Sequence, residues 1–396
     1  MTRTKEASSF PVAHTRGLRA SDADCGALLG NNARKVSSRQ RASACRSVRY
    51  RLREAARPHQ RGVNARKCGK VPHQTHVTIN RRKGDGSAHY HGLIRCGSWA
   101  ACPVCQAQIQ MRRAEEVRFI ADAHRAAGGG LYLVTFTLPH DQGDRLLPLY
   151  HAVTDSYRYV RSGSPWYRAK EAIGYVGEIR ALEATVGAHG WHPHLHILLL
   201  TQRPLSPDQL EQLRSYYFRR WSTRVERFGY RAPTAEHGVT VVASHRDEYL
   251  AKMGLADELV KGSGKAARGE SRTPIEVLAD FAERYDPADL GLWREWVKAM
   301  YGARQVTWSR GLREQYGAEL EPSDAEIVTD DVEDAEHSVV SLHAELWRSL
   351  VRENADIMWQ LLDAAESGGS NAVAVLIAAC RGAPARGRLN RLLNYG

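Results

Sequence analysis

Apolar and polar positions alternate along several short stretches of the chain. "LYLVTFTL" (131–138), residues 173–186, residues 194–201 and residues 238–244 have the two-residue period, or the short apolar run, that is typical of β-strands. Longer stretches have apolar positions at helical spacing. The predicted helices are residues 104–127, 145–161, 207–228, 246–260, 275–284 and 288–301. Because strands and helices mix without regular alternation, the pattern favours an α+β fold over a doubly wound parallel sheet.

Composition divides the chain into five segments. Residues 31–70 contain thirteen Lys or Arg and one acid, which is typical of a flexible basic arm. Residues 319–336 contain nine acids and no Lys or Arg, which is typical of a solvated linker. The spacing of Leu346 and Leu350 predicts an amphipathic helix over residues 338–366. The predicted segments are a basic flexible arm (1–64), a cysteine-rich segment with a helix (65–127), the main α+β domain with a helical extension (128–318), an acidic linker (319–337) and a helical tail (338–396).

The net charge of the 396-residue chain is +12, which indicates a polyanionic partner, most simply nucleic acid. The longest apolar runs, near residues 197–200 and 372–380, are too short to span a bilayer. No N-terminal stretch has the order of a secretory signal. We therefore expect a cytoplasmic protein that does not enter a membrane. In that reducing compartment a cysteine cluster indicates a metal site more often than disulfides.

Four of the seven cysteines fall in one region of the sequence. Cys102 and Cys105 have the two-residue spacing of a metal knuckle, and Cys96 and Cys68 are each followed by a glycine that tolerates a tight turn. Together they predict a closed, structural zinc site of four thiolates. The gap between Cys68 and Cys96 is long, so one of two histidines could replace Cys68. These are His89 and His91.

Three histidines recur at every second position in "GWHPHLHILLL" (190–200). On a strand, alternate side chains share a face, so the imidazoles of His194 and His196 project together about 7 Å apart along the chain. His192 shares the face but lies at the strand entrance beside Pro193, and it is the weaker candidate ligand.

The preceding strand supplies a carboxylate to the same face. A two-residue turn at Ala188 and His189 places Glu183 opposite His194, and a shift of the centre by one position places it opposite His196. Two imidazoles and a carboxylate form a mixed nitrogen and oxygen site that suits Mg²⁺ or Mn²⁺ on a phosphate oxygen. The histidine strand therefore predicts a catalytic metal site.

These residues resemble the rolling-circle replication initiators of bacterial plasmids, within the HUH endonucleases. The family's defining element is a His-hydrophobic-His triplet on a central strand, here His194, Leu195 and His196. Its second element is a helical tyrosine followed three residues later by lysine, which Tyr249 and Lys252 match. The resemblance covers roughly residues 65–330. Further matching stretches are "EAT" (183–185), "GWHP" (190–193), "CGSWAACPVC" (96–105), "LVTFTLPH" (133–140), "SRTPIEVL" (271–278) and "ARQVTWSRGLR" (303–313).

The resemblance implies an HUH-type antiparallel sheet flanked by helices and a metal-dependent nickase. Tyr249 would attack the scissile phosphate, polarised by a metal on His194, His196 and Glu183, to give a 5′-phosphotyrosine and a free 3′ hydroxyl. Lys252, one helical turn from Tyr249, would assist the phenol or steady the phosphate. The implied partners are single-stranded or extruded plasmid origin DNA and the helicase and polymerase of a bacterial host.

Termination of such a reaction needs a second nucleophile. No second tyrosine lies one helical turn from Tyr249. His245 lies one turn back, and Asp247 and Glu248 are close in sequence. We therefore expect a single-tyrosine enzyme in which an acid such as Glu248, or His245, is the base that activates water.

Other functions remain open from the sequence. A transposase or conjugative relaxase of the same superfamily shares the chemistry, and only the flanking motifs argue against it. A zinc-dependent DNA-binding regulator without catalysis explains the charge and the cysteines but gives the histidine strand no role. A metallohydrolase with His-x-His on a barrel strand needs repeated strand–helix units after the motif, and these are missing.

Overall fold

The computed structural model describes residues 38–82, 85–244, 271–318, 321–329, 335–381 and 393–394. Its strands are β1 (His76–Arg82), β2 (Ala88–His91), β3 (Gly130–Thr137), β4 (Tyr175–Gly187), β5 (Gly190–Thr201), β6 (Val239–Ala243), β7 (Val306–Trp308), β8 (Ala335–His343) and β9 (Leu393–Asn394). Its α-helices are α1 (Ser38–Ala56), α2 (Val63–Lys67), α3 (Pro103–Ala126), α4 (Leu146–Val160), α5 (Gly163–Ala172), α6 (Pro207–Arg227), α7 (Pro274–Arg284), α8 (Pro287–Ala299), α9 (Leu312–Gln315), α10 (Asp324–Ile327), α11 (Ala344–Glu353) and α12 (Ile357–Cys380).

A five-stranded antiparallel sheet with the order β6-β3-β5-β4-β7 forms the centre of the molecule. The hairpin of β4 and β5 closes with Gly187 opposite Gly190, so Ala188 and His189 form a two-residue turn, which is one of the even-length arrangements considered from the sequence. Helices cover both faces of this sheet, and the predicted α+β class is confirmed.

One face of the central sheet packs on aromatic side chains. Phe136 of β3 contacts Tyr157 of α4 and both Tyr217 and Trp221 of α6. Helix α6 begins with the predicted cap, since the side chain of Ser206 accepts a hydrogen bond from the backbone of the third helical residue. This layer buries the side chain of Phe136 between the sheet and the two helices.

The opposite face is apolar over only part of its length. Leu198 and Leu200 of β5 belong to a buried cluster with Val117 and Ile120 of α3. On β4 this cluster ends at Ala181, and the next positions of the face towards the hairpin turn are polar. On this face of the sheet, one half is therefore covered by helix α3 and the other half, towards the hairpin turn, is lined by hydrogen-bonding side chains.

A second antiparallel sheet has the order β2-β1-β8-β9. It corrects the prediction of a helix beginning at residue 338, because residues 335–343 form β8 and pair with β1. Leucines four residues apart fit one continuous helix, but buried Val340 and Leu342 also have strand alternation. The helix begins only at Ala344, where the ring of His343 accepts a hydrogen bond from the backbone N–H of Glu345.

The basic arm predicted over residues 1–64 is wrong for residues 38–64. Residues 38–56 form helix α1, and its arginines pair with acids of α12 and the turn before it: Arg46 with Asp363 and Glu366, and Arg51 with Asp356. These acids lie about 300 positions away in sequence. A count of the charges near the arginines does not include them, and it therefore predicts a solvated basic arm.

The acidic segment is also docked where the structure describes it. Over residues 321–329 it forms α10, and buried Arg113 of α3 pairs with Asp324 at 3.2 Å. The prediction of a solvated linker is therefore wrong for these residues, because α3 presents an arginine to them. No helix in the described part of the chain combines the length and the apolar character needed to cross a bilayer.

Candidate metal sites

The histidine row, which we define as His192, His194 and His196 with Glu183, lies on the polar half of the central sheet. His194 is directly opposite Glu183, as predicted for a two-residue turn. His196 is opposite Ala181, one pair further along the hairpin. The rings of His194 and His196 stack with an interplanar angle of 20° and centroids 5.7 Å apart. They therefore lie in one layer, which the predicted site requires.

Glu183 reaches diagonally along the sheet to the second imidazole. Its Oε2 lies 3.0 Å from Nε2 of His196, whose side chain is 4% exposed. Two adjacent ligand atoms about 2.1 Å from an octahedral Mg²⁺ ion are separated by about 3.0 Å. The two atoms are at hydrogen-bonding distance, and the same separation is compatible with two neighbouring ligands of one ion.

Strand β3, on the other side of β5 from β4, contributes contacts to the histidine row that were not predicted from the sequence. Thr135 Oγ1 lies 3.0 Å from Nδ1 of His196, and Thr137 Oγ1 lies 3.3 Å from Nδ1 of His194. Thr135 and Thr137 face the histidines because β3 pairs with β5 in that register. The alternation of threonines in "LVTFTL" is the signal that could have revealed them.

A fourth histidine follows β3 and extends the row. His140 Nε2 contacts Nδ1 of His192, and its own Nδ1 lies 3.0 Å from the backbone oxygen of His189. Burial, followed by the repulsion that a protonated His192 would meet from a protonated His140, lowers the pKa of His192 to about 4. Burial also lowers the pKa of His140. Both rings are therefore neutral at pH 7, the form in which an imidazole binds a metal.

The cysteine cluster, which we define as Cys68, Cys96, Cys102 and Cys105, assembles as predicted. Its Sγ atoms are 3.8 Å apart for Cys68 and Cys102, 3.5 Å for Cys68 and Cys105 and 3.7 Å for Cys96 and Cys105. A tetrahedron of sulfur atoms about 2.3 Å from zinc has edges of about 3.8 Å. The fourth ligand position is filled by Cys68, so neither histidine of β2 is needed to complete the group.

Glycines shape two of the loops that hold the cysteine cluster. Gly69 has φ +61°, and a Cβ there would lie 2.1 Å from the guanidinium of Arg53. Gly97 has φ +58°, and a Cβ there would lie 2.9 Å from Cα of Ala325. Only glycine adopts this backbone and leaves this space without strain. The Cys-Gly pairs in the sequence thus correspond to tight turns.

Hydrogen bonds among the thiols distribute the charge of the cysteine cluster unequally. The hydrogen bond from Cys102 lowers the pKa of Cys68, whereas the hydrogen bond to Cys105 raises the pKa of Cys102. Buried Arg53 adds a positive charge that also lowers the pKa of Cys68. A divalent cation would complete the deprotonation of such a group.

The two groups differ in how closely their ligand atoms gather. Among the described residues, the cysteine cluster is the one set of three or more metal-binding side chains whose ligand atoms all lie within 4.8 Å of one another. The ligand atoms of the histidine row are spread more widely. Its assignment to Mg²⁺ or Mn²⁺ stays a prediction, and so does the assignment of zinc to the cysteines.

Four predicted catalytic residues lie outside the described residues: Tyr249, Lys252, Glu248 and His245. The described residues on either side of residues 245–270 are both bonded to the central sheet. Ser244 donates its backbone N–H to the oxygen of Leu131 at 2.9 Å. Arg272 exchanges two backbone hydrogen bonds with Val186, at 2.7 and 2.8 Å. Ser244 and Arg272, the described residues that carry these bonds, are therefore both attached to the sheet that bears the histidine row.

Comparisons with known proteins give two relatives from Streptomyces. The chain is 29% identical over 344 residues to a protein of Streptomyces lividans named "Protein rep", a match that covers 69% of this chain and 75% of that protein. It is 35% identical over 147 residues to a protein of Streptomyces cyanogenus named "Neomycin resistance protein", covering 31% of this chain and 34% of that protein. No protein-family model and no solved structure matches the chain.

Proposed function

We propose that the chain is a plasmid replication initiator that nicks one DNA strand at its origin by HUH-type chemistry. The observation that carries the proposal is the register of the central hairpin, which puts His194, His196 and Glu183 on one face of the sheet. The similarity to "Protein rep" over most of both chains supports the same class. The name of the second relative describes a resistance, and its match is too short to bring a function to this chain.

In this proposal His194, His196 and Glu183, with His192 beside them, would hold Mg²⁺ or Mn²⁺, and the bound ion would supply polarisation of the scissile phosphate. The Tyr249 oxygen would form a bond to phosphorus as the bond from phosphorus to the 3′ oxygen breaks. The proton lost by the phenol balances the one gained by the 3′ oxygen, so the phosphodiester is exchanged for a phosphotyrosine and a 3′ hydroxyl without net hydrolysis. Lys252 steadies the phosphate charge. His245 or Glu248 takes the proton from water when the link is later cleaved.

The cysteine cluster has a structural role in the same proposal, with Zn²⁺ as its metal. It joins the end of α2, a loop and the first turn of α3, and α3 is the helix that packs on the histidine-bearing face of the sheet. A closed thiolate site leaves no coordination position for a substrate. It therefore stabilises helix α3, which packs on the histidine-bearing face of the sheet, and it takes no part in cleavage.

The proposed substrate is single-stranded or extruded plasmid origin DNA, and the free 3′ hydroxyl would be handed to a host polymerase and helicase. A net charge of +12 favours binding to the phosphate backbone. We therefore expect binding that weakens steeply with added salt.

Covalent capture tests the proposal. Single-stranded oligonucleotides labelled at the 3′ end, tiled across the replicon that encodes the chain, are incubated with the full-length protein and Mn²⁺. We expect one oligonucleotide to give a labelled protein adduct that Tyr249→Phe abolishes and Tyr301→Phe, a change at a tyrosine that is 90% exposed, leaves intact.

Two results would contradict it. An adduct that survives Tyr249→Phe would assign the nucleophile to another residue. Retarded migration of origin DNA with neither a nick nor an adduct, in any metal tested, would instead identify a DNA-binding regulator without catalysis.

A further inference from the structure

We infer that Thr135, Thr137 and His140 are positioning residues that hold Nδ1 of the three histidines of β5 and so direct each Nε2 atom to the metal. We call these three residues the Nδ1 partners. The inference rests on the proposed function, because it assigns roles to side chains around the proposed metal site. It also makes His192 a full member of that site rather than a residue at its entrance.

The contacts form a series with one partner for each ring. Thr135 contacts His196 and Thr137 contacts His194, in both cases at Nδ1. His140, three positions past Thr137, contacts Nδ1 of His192. The first two follow from the pairing of β3 with β5, since each threonine is directly opposite its histidine. Strand β3 and the loop after it thus contact the Nδ1 atom of each of the three histidines of β5.

The direction of the hydrogen bonds can be worked out from the end of the series. A backbone carbonyl only accepts, so the ring of His140 donates from Nδ1 to the oxygen of His189. In the neutral ring its Nε2 is then an acceptor, and His192 must donate from Nδ1. Nε2 of His192 is left with a lone pair. This is the form that a ligand to a divalent cation needs.

Threonine hydroxyls can take the same role for the other two rings. A hydroxyl accepts a hydrogen bond from Nδ1–H when Nε2 binds a metal, and it can rotate to donate when Nε2 carries the proton. For His196 this adaptability matters, because its Nε2 also contacts Glu183 at 3.0 Å. Partners of this kind fix the orientation of metal-binding imidazoles, and their loss typically weakens metal binding about 10- to 100-fold.

Mn²⁺ titration of the full-length protein, followed by electron paramagnetic resonance after the thiolate site has been saturated with Zn²⁺, tests the inference. Valine has the shape of threonine without the hydroxyl. We expect the double variant Thr135→Val with Thr137→Val, and separately His140→Ala, to raise the dissociation constant about 10- to 100-fold. Thr137→Ser, made as a single substitution in the natural protein, keeps the hydroxyl. This variant should bind Mn²⁺ like the natural protein.

Thr240→Val is the matched control. Thr240 is opposite Thr135 on β6 and on the same face, it is exposed, and no described hydrogen bond joins its hydroxyl to a histidine ring. It should leave Mn²⁺ binding unchanged. Circular dichroism of each variant checks that the fold is retained.

The outcomes separate the inference from the function on which it rests. Equal Mn²⁺ affinity in the natural protein and in both sets of variants would overturn the role of the Nδ1 partners and leave the metal site standing. No Mn²⁺ site sensitive to His194→Ala would overturn both. An independent readout is the tautomer of His192 in ¹⁵N-imidazole spectra of the metal-free protein, where a proton on Nε2 in place of Nδ1 would overturn the inference.

Discussion

The cysteine cluster and the histidine row both bring metal-binding side chains together, but the chain builds them in different ways. The cysteines come from three separate segments, are mostly buried, and have all their ligand atoms within 4.8 Å of one another. The histidines come from one strand, and His192 and His194 are only partly buried. The first group is closed by its own ligands, whereas the second lies at the point where the helical cover of the sheet ends.

This difference separates stability from chemistry. A group made by distant segments holds those segments together when a metal binds, so its loss should unfold structure. A group on one rigid hairpin is positioned by the sheet, so its loss should remove an activity and spare the fold. Variants of each group test that separation.

Cys105→Ser should remove both the bound zinc and much of the stability. We expect the free energy of unfolding to fall by more than about 4 kcal/mol, because a structural metal site contributes directly to folding. Bound zinc by mass spectrometry and urea unfolding measure the two effects. Cys380→Ser, a cysteine outside the cluster, is the control. Full stability in Cys105→Ser would mean that the cysteines are an ordinary part of the core.

His194→Ala combined with His196→Ala should show the opposite pattern. We expect formation of the covalent DNA adduct to fall about 10³-fold or more, since a metal contributes several kcal/mol to stabilising the charged transition state. Thermal unfolding should stay within a few degrees of the natural protein. A large loss of stability with retained adduct formation would reverse the roles assigned to the two groups.

Gly97→Ala should weaken the cysteine cluster through the backbone. A Cβ would approach Cα of Ala325 to 2.9 Å at a φ of +58°, and we expect a loss of about 1–3 kcal/mol with a lower zinc affinity. Gly128→Ala has a positive φ of +83° but nothing within 4 Å of the new Cβ, so it isolates the conformational cost. Equal losses in both variants would show that the contact with Ala325 does not matter.

Acid should lower the free energy of unfolding of the protein through His192 of the histidine row. The pKa of His192 in the folded protein is about 4, below its ordinary value of 6.5, so the folded state favours the neutral ring. The stability that this provides is present above pH 6.5 and is lost as the pH falls from 6.5 towards 4. Urea unfolding at pH 7 and pH 5 should show a smaller decrease for His192→Gln than for the natural protein. His237→Gln, a change at an exposed histidine, should leave the decrease as it is.

Local pattern predicted most of the central sheet and the register of its hairpin. An even turn between glycines fixes which residues of β4 and β5 share a face, so spacing alone placed Glu183 on the face of the histidines. Spacing left both His194 and His196 as its opposite residue, and the structure pairs it with His194. The position of Thr135 and Thr137 beside the histidines could not be predicted in this way. Strand β3 pairs with β5, which lies about sixty residues later in the chain, and no local sequence pattern indicates which strands pair over that distance.

The errors have the same origin in long-range contacts. Arg46 and Arg51 lie in a run of positive charge, and the acids that bind them are near the other end of the chain. Residues 335–343 become a strand because they pair with the edge of β1, although the spacing of Leu342 with Leu346 and Leu350 also fits a helix. In both cases the partner, and not the segment itself, decides the structure.

The two-residue turn at Ala188 and His189 sets a limit on how this hairpin can vary. The hydrogen bond from the histidine series to this turn goes to the backbone oxygen of His189, which any amino acid supplies. The turn residues can therefore be exchanged without loss of that hydrogen bond. The length of the turn cannot change by one, because one inserted or deleted residue would turn Glu183 to the far side of the sheet from the imidazoles. Insertions should be tolerated there only in pairs.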